Sequence, residues 1–212
     1  MTHKELLNTD GSGLSIGFSE MLLLSADEVP NNRIPLLKKL ADSQNDLALT
    51  IDASCLLSAW GDKGYVDRLK YYCDSRIDQQ GNFRPHRLRN YDQTYEYFLT
   101  ALISYWLWYD DIGKAEADKA REYIFSTIVL IIELASVCPF ELKELYDFVN
   151  KRGWKEYVPY IKTHLELLFE SPIQHQWKFV DAIKFLDKYD DYFVTELLTL
   201  HGKTRSDYPL DK

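Results

Sequence analysis

From about residue 32 to residue 200, apolar side chains recur at three- and four-residue spacings, and clean apolar–polar alternation is hard to find. That period lays one face of a helix on a core, whereas a half-buried strand needs a period of two. With only 9 Gly and 7 Pro in 212 residues, the chain is also poor in the turn formers of an all-β fold. The reading is all-α. An apolar share of 46% and an aromatic share of 14% set it apart from disordered chains, which lack the hydrophobicity to build a core.

The pattern divides the chain into an arm over residues 1–19, one helical domain over 20–201 and a polar tail over 202–212. Asp10, Gly11, Ser12, Gly13 and Gly17 favour irregular backbone in the arm. A short helix is predicted at Glu20–Leu24. Asn32 can cap a helix in which Pro35 sits in the first turn, where its missing N–H leaves nothing unsatisfied. The Ser43–Asn45 turn, with Gln44 at its centre, leads to a second helix near Asp46. Leu47, Ile51 and Cys55 form its stripe, and Gly61 stops it. Further helices are predicted at Tyr65–Arg76, Leu88–Tyr109, Lys114–Ala135, Phe140–Lys151, Glu156–Phe169, Gln174–Lys188 and Asp191–Leu200, with Pro172 as a break.

The residues Ile34–Gly61 resemble one HEAT repeat. Pro35 lies in the first helix, Asp46 precedes the second, and Ala53, Leu57 and Gly61 hold the small, apolar and terminal positions; Thr50 departs from the Arg often found in such repeats. The segments IDASCLL at Ile51–Leu57 and VDAIKFL at Val180–Leu186 lie apart by a multiple of a HEAT-length period, roughly 40–47 residues. The resemblance implies a HEAT-like α-solenoid of stacked antiparallel helix pairs with a partner-binding face; the alternative is an irregular helical bundle.

Several function classes lose support from the residues. With 25 basic and 33 acidic side chains, the net charge is −8, which sets the chain against gripping nucleic-acid phosphates. The apolar run Ile124–Val137 is too short for a bilayer and contains Glu133, so it reads as a core helix and no membrane partner is expected. No apolar run of signal-peptide length occurs in the first twenty residues. Cys55, Cys73 and Cys138 form no CxxC pair and sit among apolar residues, as small core residues do in a reducing compartment. The expected location is cytoplasmic. Neither a P-loop, a dinucleotide fingerprint nor a nucleophile elbow is present, and no cofactor is expected. None of His3, His86, His164, His175 and His201 has a second histidine at metal-ligand spacing.

Two acidic groups carry the remaining chemistry. Glu141, Glu144 and Asp147 share helical spacing of the kind that all-α Mg²⁺-dependent nucleotide phosphohydrolases use, but such a site needs a second acidic set. Glu116 with Asp118, or Asp187 with Asp190, do not complete one, and a solvated helix face accounts for them. The other group consists of aromatic–acidic patches: Trp108, Tyr109, Asp110 and Asp111 with Glu116 and Asp118, and Tyr189, Asp190, Asp191 and Tyr192. A carboxylate beside a ring can attract Lys or Arg from a partner, although acids at helix starts are also ordinary. The basic cluster Arg84, His86, Arg87 and Arg89 is expected to pair within the molecule, and the aromatic run Tyr95–Tyr109 to pack in the core.

Small, acidic, helical and cytoplasmic, the chain is similar to bacterial toxin-immunity proteins. That resemblance implies a non-catalytic module that covers the active surface of one basic toxin domain, such as a nuclease, through those patches. The alternatives are the Mg²⁺-dependent phosphohydrolase and a helical-repeat adaptor.

Overall fold

Eleven α-helices, four 3-10 turns and no strand make up the residues that the computed structural model describes, namely 2–43, 45–171 and 175–209. Gln44, Pro172, Gln174 and residues 210–212, which enter the expectations above, lie outside the described residues. The chain divides into two compact units, Met1–Ile128 and Val129–Lys212.

The first unit holds α1 (His3–Asn8), α2 (Phe18–Leu22), α3 (Ile34–Ala41), α4 (Leu47–Ala59), α5 (Lys63–Asp74) and α6 (Thr94–Asp110). It also holds the start of α7 (Lys114–Val137). Helix α4 is its centre and packs against α3, α5 and α6. From Ala53 to Ala59 every side chain of α4 is buried, so the helix is enclosed all round and not amphipathic. Its small residues Ala53, Ser54, Ser58 and Ala59 leave room for close neighbours. Pairwise packing of this kind suits a bundle or a solenoid-like stack.

The α3–α4 pair forms as its residues dictate. Pro35 sits in the first turn of α3. Asp46 caps α4 by accepting from the Leu49 N–H at 3.1 Å. Thr50, the position that departs from the HEAT pattern, donates to the Ser43 carbonyl at 2.6 Å and shares its hydroxyl with the Asp46 carbonyl at 2.8 Å. The hydroxyl thus ties Ser43 to the first turn of the helix.

Two expectations for this unit change. Residues 2–19, expected as an irregular arm, are tied to the fold. Thr2 and Glu5 form a reciprocal cap at the start of α1, Leu6 and Leu7 are buried, and the buried Arg33 donates to the Thr9 and Asp10 carbonyls. Helix α6 begins at Thr94, not Leu88. The Asp92 carboxylate accepts from the N–H groups of Phe83 at 2.7 Å, Arg84 at 3.2 Å and Thr94 at 2.7 Å. Those bonds hold a turn closed by the Pro85–Asp92 bridge, in which Asn90 takes φ 51°. Local side-chain bonding of this kind competes with helix extension.

The second unit contains the end of α7, then α8 (Lys143–Arg152), α9 (Val158–Glu170), α10 (Gln176–Leu186) and α11 (Asp191–Leu200). Gly153 ends α8 at φ 72°, where its N–H reaches the Val149 carbonyl at 2.8 Å. Leu145, Val149, Trp154, Ile161, Leu165, Phe179, Ile183 and Val194 form the core. The tail is not wholly solvated: Tyr208 is buried and stacks on Phe179 at 5.0 Å, and Arg205 pairs with Asp187 at 2.6 Å. All three cysteines are buried thiols, and burial pushes those of Cys55 and Cys73 well above the ordinary range. Among the described residues no helix is long and apolar enough to cross a membrane.

Candidate partner-binding surfaces

In the first unit the predicted patch lies at the C-terminus of α6 and the start of α7. Its aromatic half is committed to the fold. Tyr109 donates its hydroxyl to the Gly61 carbonyl at 3.0 Å and packs at a tilt against Tyr105, with ring centroids 4.9 Å apart. The Trp108 ring lies so close to Gly61 that a Cβ there would sit 2.6 Å from it. Asp110 is half-buried, and Glu116 pairs with Lys119 at 2.6 Å. Asp111 and Asp118 are different: both are exposed, and among the described residues neither carboxylate makes a hydrogen bond or ion pair. Between them lies Ile112, 63% exposed, which the sequence pattern does not single out. The accessible part of this patch is therefore Asp111 and Ile112, on a turn next to the two rings that pack on Gly61, together with Asp118 in α7.

The patch in the second unit divides in the same way. Asp190 caps α11 by accepting from the Phe193 N–H at 2.9 Å, and it also pairs with Lys162. The Lys162 hydrogen bond and that backbone N–H hold the Asp190 carboxyl below the usual carboxylate range. Tyr189 donates to Asn150 at 3.1 Å and packs on Phe185. Asp191 and Tyr192 are exposed. Tyr192 donates to Glu196, which pushes the phenol above its ordinary value. Tyr192, Glu196 and Leu200 follow one another at four-residue spacing, all exposed, and make a stripe along α11. Glu196 and Leu200 also line a groove of about 530 Å³.

Comparison with protein-family models, with curated proteins and with solved structures finds no match to the chain.

Among the described residues no three His, Cys, Asp or Glu side chains gather as a set for one cation, so Glu141, Glu144 and Asp147 gain no second acidic partner set. The basic cluster divides. Arg84 pairs within the unit with Asp52 and lies over the Phe18 ring at 4.0 Å. His86 accepts from the Leu88 and Arg89 N–H groups through Nδ1, at 3.1 and 3.0 Å. Arg87 and Arg89 are exposed on either side of Leu88, which is 90% exposed.

Sequence reasoning missed a buried polar group in the second unit. Ser136 and His164 meet at 2.9 Å between Oγ and Nδ1. Burial, helped by the nearby Lys178 charge, pushes His164 down to about 3, which leaves it a poor base at neutral pH. The pair is thus a buried hydrogen bond and does not have the proton affinity of a nucleophile–base dyad. Lys178 is itself buried, its Nζ donating to the Ala135 carbonyl at 2.5 Å and to the Cys138 carbonyl. The signal was present in the sequence: Lys178, Ala182 and Leu186 fall at i, i+4 and i+8, on the buried stripe of α10.

Proposed function

We propose that the chain is a non-catalytic protein-binding module, an immunity protein that neutralises one basic bacterial toxin domain by covering its active surface. The observation that carries this reading is the α6–α7 turn. Two carboxylates without partners among the described residues, Asp111 on the turn and Asp118 in α7, lie on either side of the exposed Ile112 in sequence, next to backbone braced by Trp108 and Tyr109. Exposed charge beside an apolar contact supplies both steering and a desolvated anchor. The net charge of −8 draws a cationic partner from a distance, and a turn already held in place loses little entropy on docking.

The test begins with capture of a partner on the immobilised chain from extract of its host, identification by mass spectrometry, and co-expression of the pair. The captured protein should be basic and should be toxic in the absence of this chain. Asp111→Lys combined with Asp118→Lys should slow association by about tenfold or more at low salt, with helicity unchanged. A partner whose association is indifferent to both salt and these charge reversals would refute the proposal.

A further inference from the structure

At the end of α7, in the second unit, a pocket of about 430 Å³ is walled by Val137, Cys138, Pro139 and Leu167 and includes Lys178 in its lining. Its volume falls in the range of small-molecule sites. Lys178 is 5% exposed. Its ammonium has three hydrogens, of which two go to the Ala135 and Cys138 carbonyls. The Trp177 ring, 5.6 Å from Nζ, offers it a π face and no counter-charge. Among the described residues Lys178 forms no ion pair, so one donor and one positive charge are left uncompensated. Uncompensated buried charge is costly, and burial accordingly draws the Lys178 ammonium down to about 8.

We propose that this pocket binds a short apolar monocarboxylate, with one carboxylate oxygen accepting the remaining Lys178 hydrogen and the hydrocarbon chain lying on Val137, Pro139 and Leu167. Lys178 and the apolar wall of Val137, Pro139 and Leu167 select for that chemistry. A single buried cation matches a single negative charge, and a charge-assisted hydrogen bond is stronger than a neutral one. Val137 is 68% exposed and Leu167 39% exposed, so a hydrocarbon chain would remove apolar surface from water. Glu170, exposed in the same lining, opposes the second negative charge that a phosphate dianion would bring. The proposal stands apart from the protein-binding reading and involves neither Asp111 nor Asp118.

The test uses the intact chain and three probes: hexanoate, hexanamide and acetate, followed by calorimetry and by backbone amide shifts. Hexanoate should saturate one site in the millimolar range and shift the amides of Val137, Cys138, Leu167 and Lys178. Hexanamide, which lacks the charge, and acetate, which lacks the chain, should each bind at least about tenfold more weakly. Between about pH 7 and about pH 10 the hexanoate affinity should fall by about tenfold or more as the free ammonium loses its proton.

The other titratable groups facing this pocket or Lys178 are Cys138, His164, Glu170 and His175. Burial holds both histidines below their ordinary value, so they do not change charge in that window. Cys138→Ala and Glu170→Gln should each leave the pH dependence in place, while Lys178→Met should abolish binding. Three results would overturn the proposal: no saturable hexanoate binding at about 50 mM, hexanamide binding as well as hexanoate, or shifts confined to other residues. Each of these is read on the natural chain and is independent of how well Lys178→Met folds.

Discussion

Gly61→Ala isolates the packing that turns Trp108 from a predicted contact residue into part of the fold. Gly61 has φ 84°, a left-handed conformation in which any Cβ is strained by about 1–2 kcal/mol. The added methyl would also sit 2.6 Å from the Trp108 indole, well inside van der Waals contact. Forcing an extra carbon into packed surroundings costs a further 1–3 kcal/mol or so. Together the substitution should destabilise the chain by about 2–5 kcal/mol, a large share of the stability of a domain. The two contributions separate in a double-mutant cycle. In a Trp108→Ala background the steric part vanishes, and Gly61→Ala should cost only the conformational 1–2 kcal/mol or so. The assay is urea unfolding of the four chains, followed by helical circular dichroism, with the midpoint and slope compared. Equal costs of Gly61→Ala in both backgrounds would refute the packing argument. A cost below about 0.5 kcal/mol would refute the left-handed assignment as well.

Two further perturbations test the local chemistry. Asp92→Ala removes the acceptor shared by the Phe83, Arg84 and Thr94 N–H groups, and should cost about 2–4 kcal/mol while speeding amide exchange at those three residues; unchanged exchange would mean that the carboxylate does not hold the turn. Asp190 has its carboxyl held low in the folded chain, so its contribution is present above the unfolded carboxylate value and lost as pH falls through the folded one. Between about pH 4 and about pH 2 the natural chain should therefore lose stability more steeply than Asp190→Asn, which keeps the cap but not the charge; parallel urea midpoints across that range would contradict this account.

The helical class and most element boundaries were legible because they depend on local chemistry. Asp46 and Asp190 cap the helices that follow them, Pro35 sits in a first turn, and Gly61 and Gly153 end helices in the left-handed region. Helix α11 runs over the residues that its pattern predicts. The start of α6 was not legible, because periodicity reads Leu88 and its neighbours as helix while Asp92 gathers three N–H groups into a turn. The candidate site was half legible. The types of residue, acids beside rings, could be read directly, but not which of them face solvent: Trp108 and Tyr109 are spent on Gly61, Asp190 on a cap and Lys162, and Asp111 and Asp118 remain open.

By itself, then, the sequence determined where most helices begin and end, since caps, glycines and apolar spacing act over four residues or fewer. Only the tertiary structure decided which polar groups are used up in folding. Thr50 closing a turn, Arg33 holding the first residues, and Lys178 set under the end of α7 all depend on partners 7 to 43 residues away in the chain. A side chain's charge is a local property, but its freedom to meet a partner is set by what the fold places beside it.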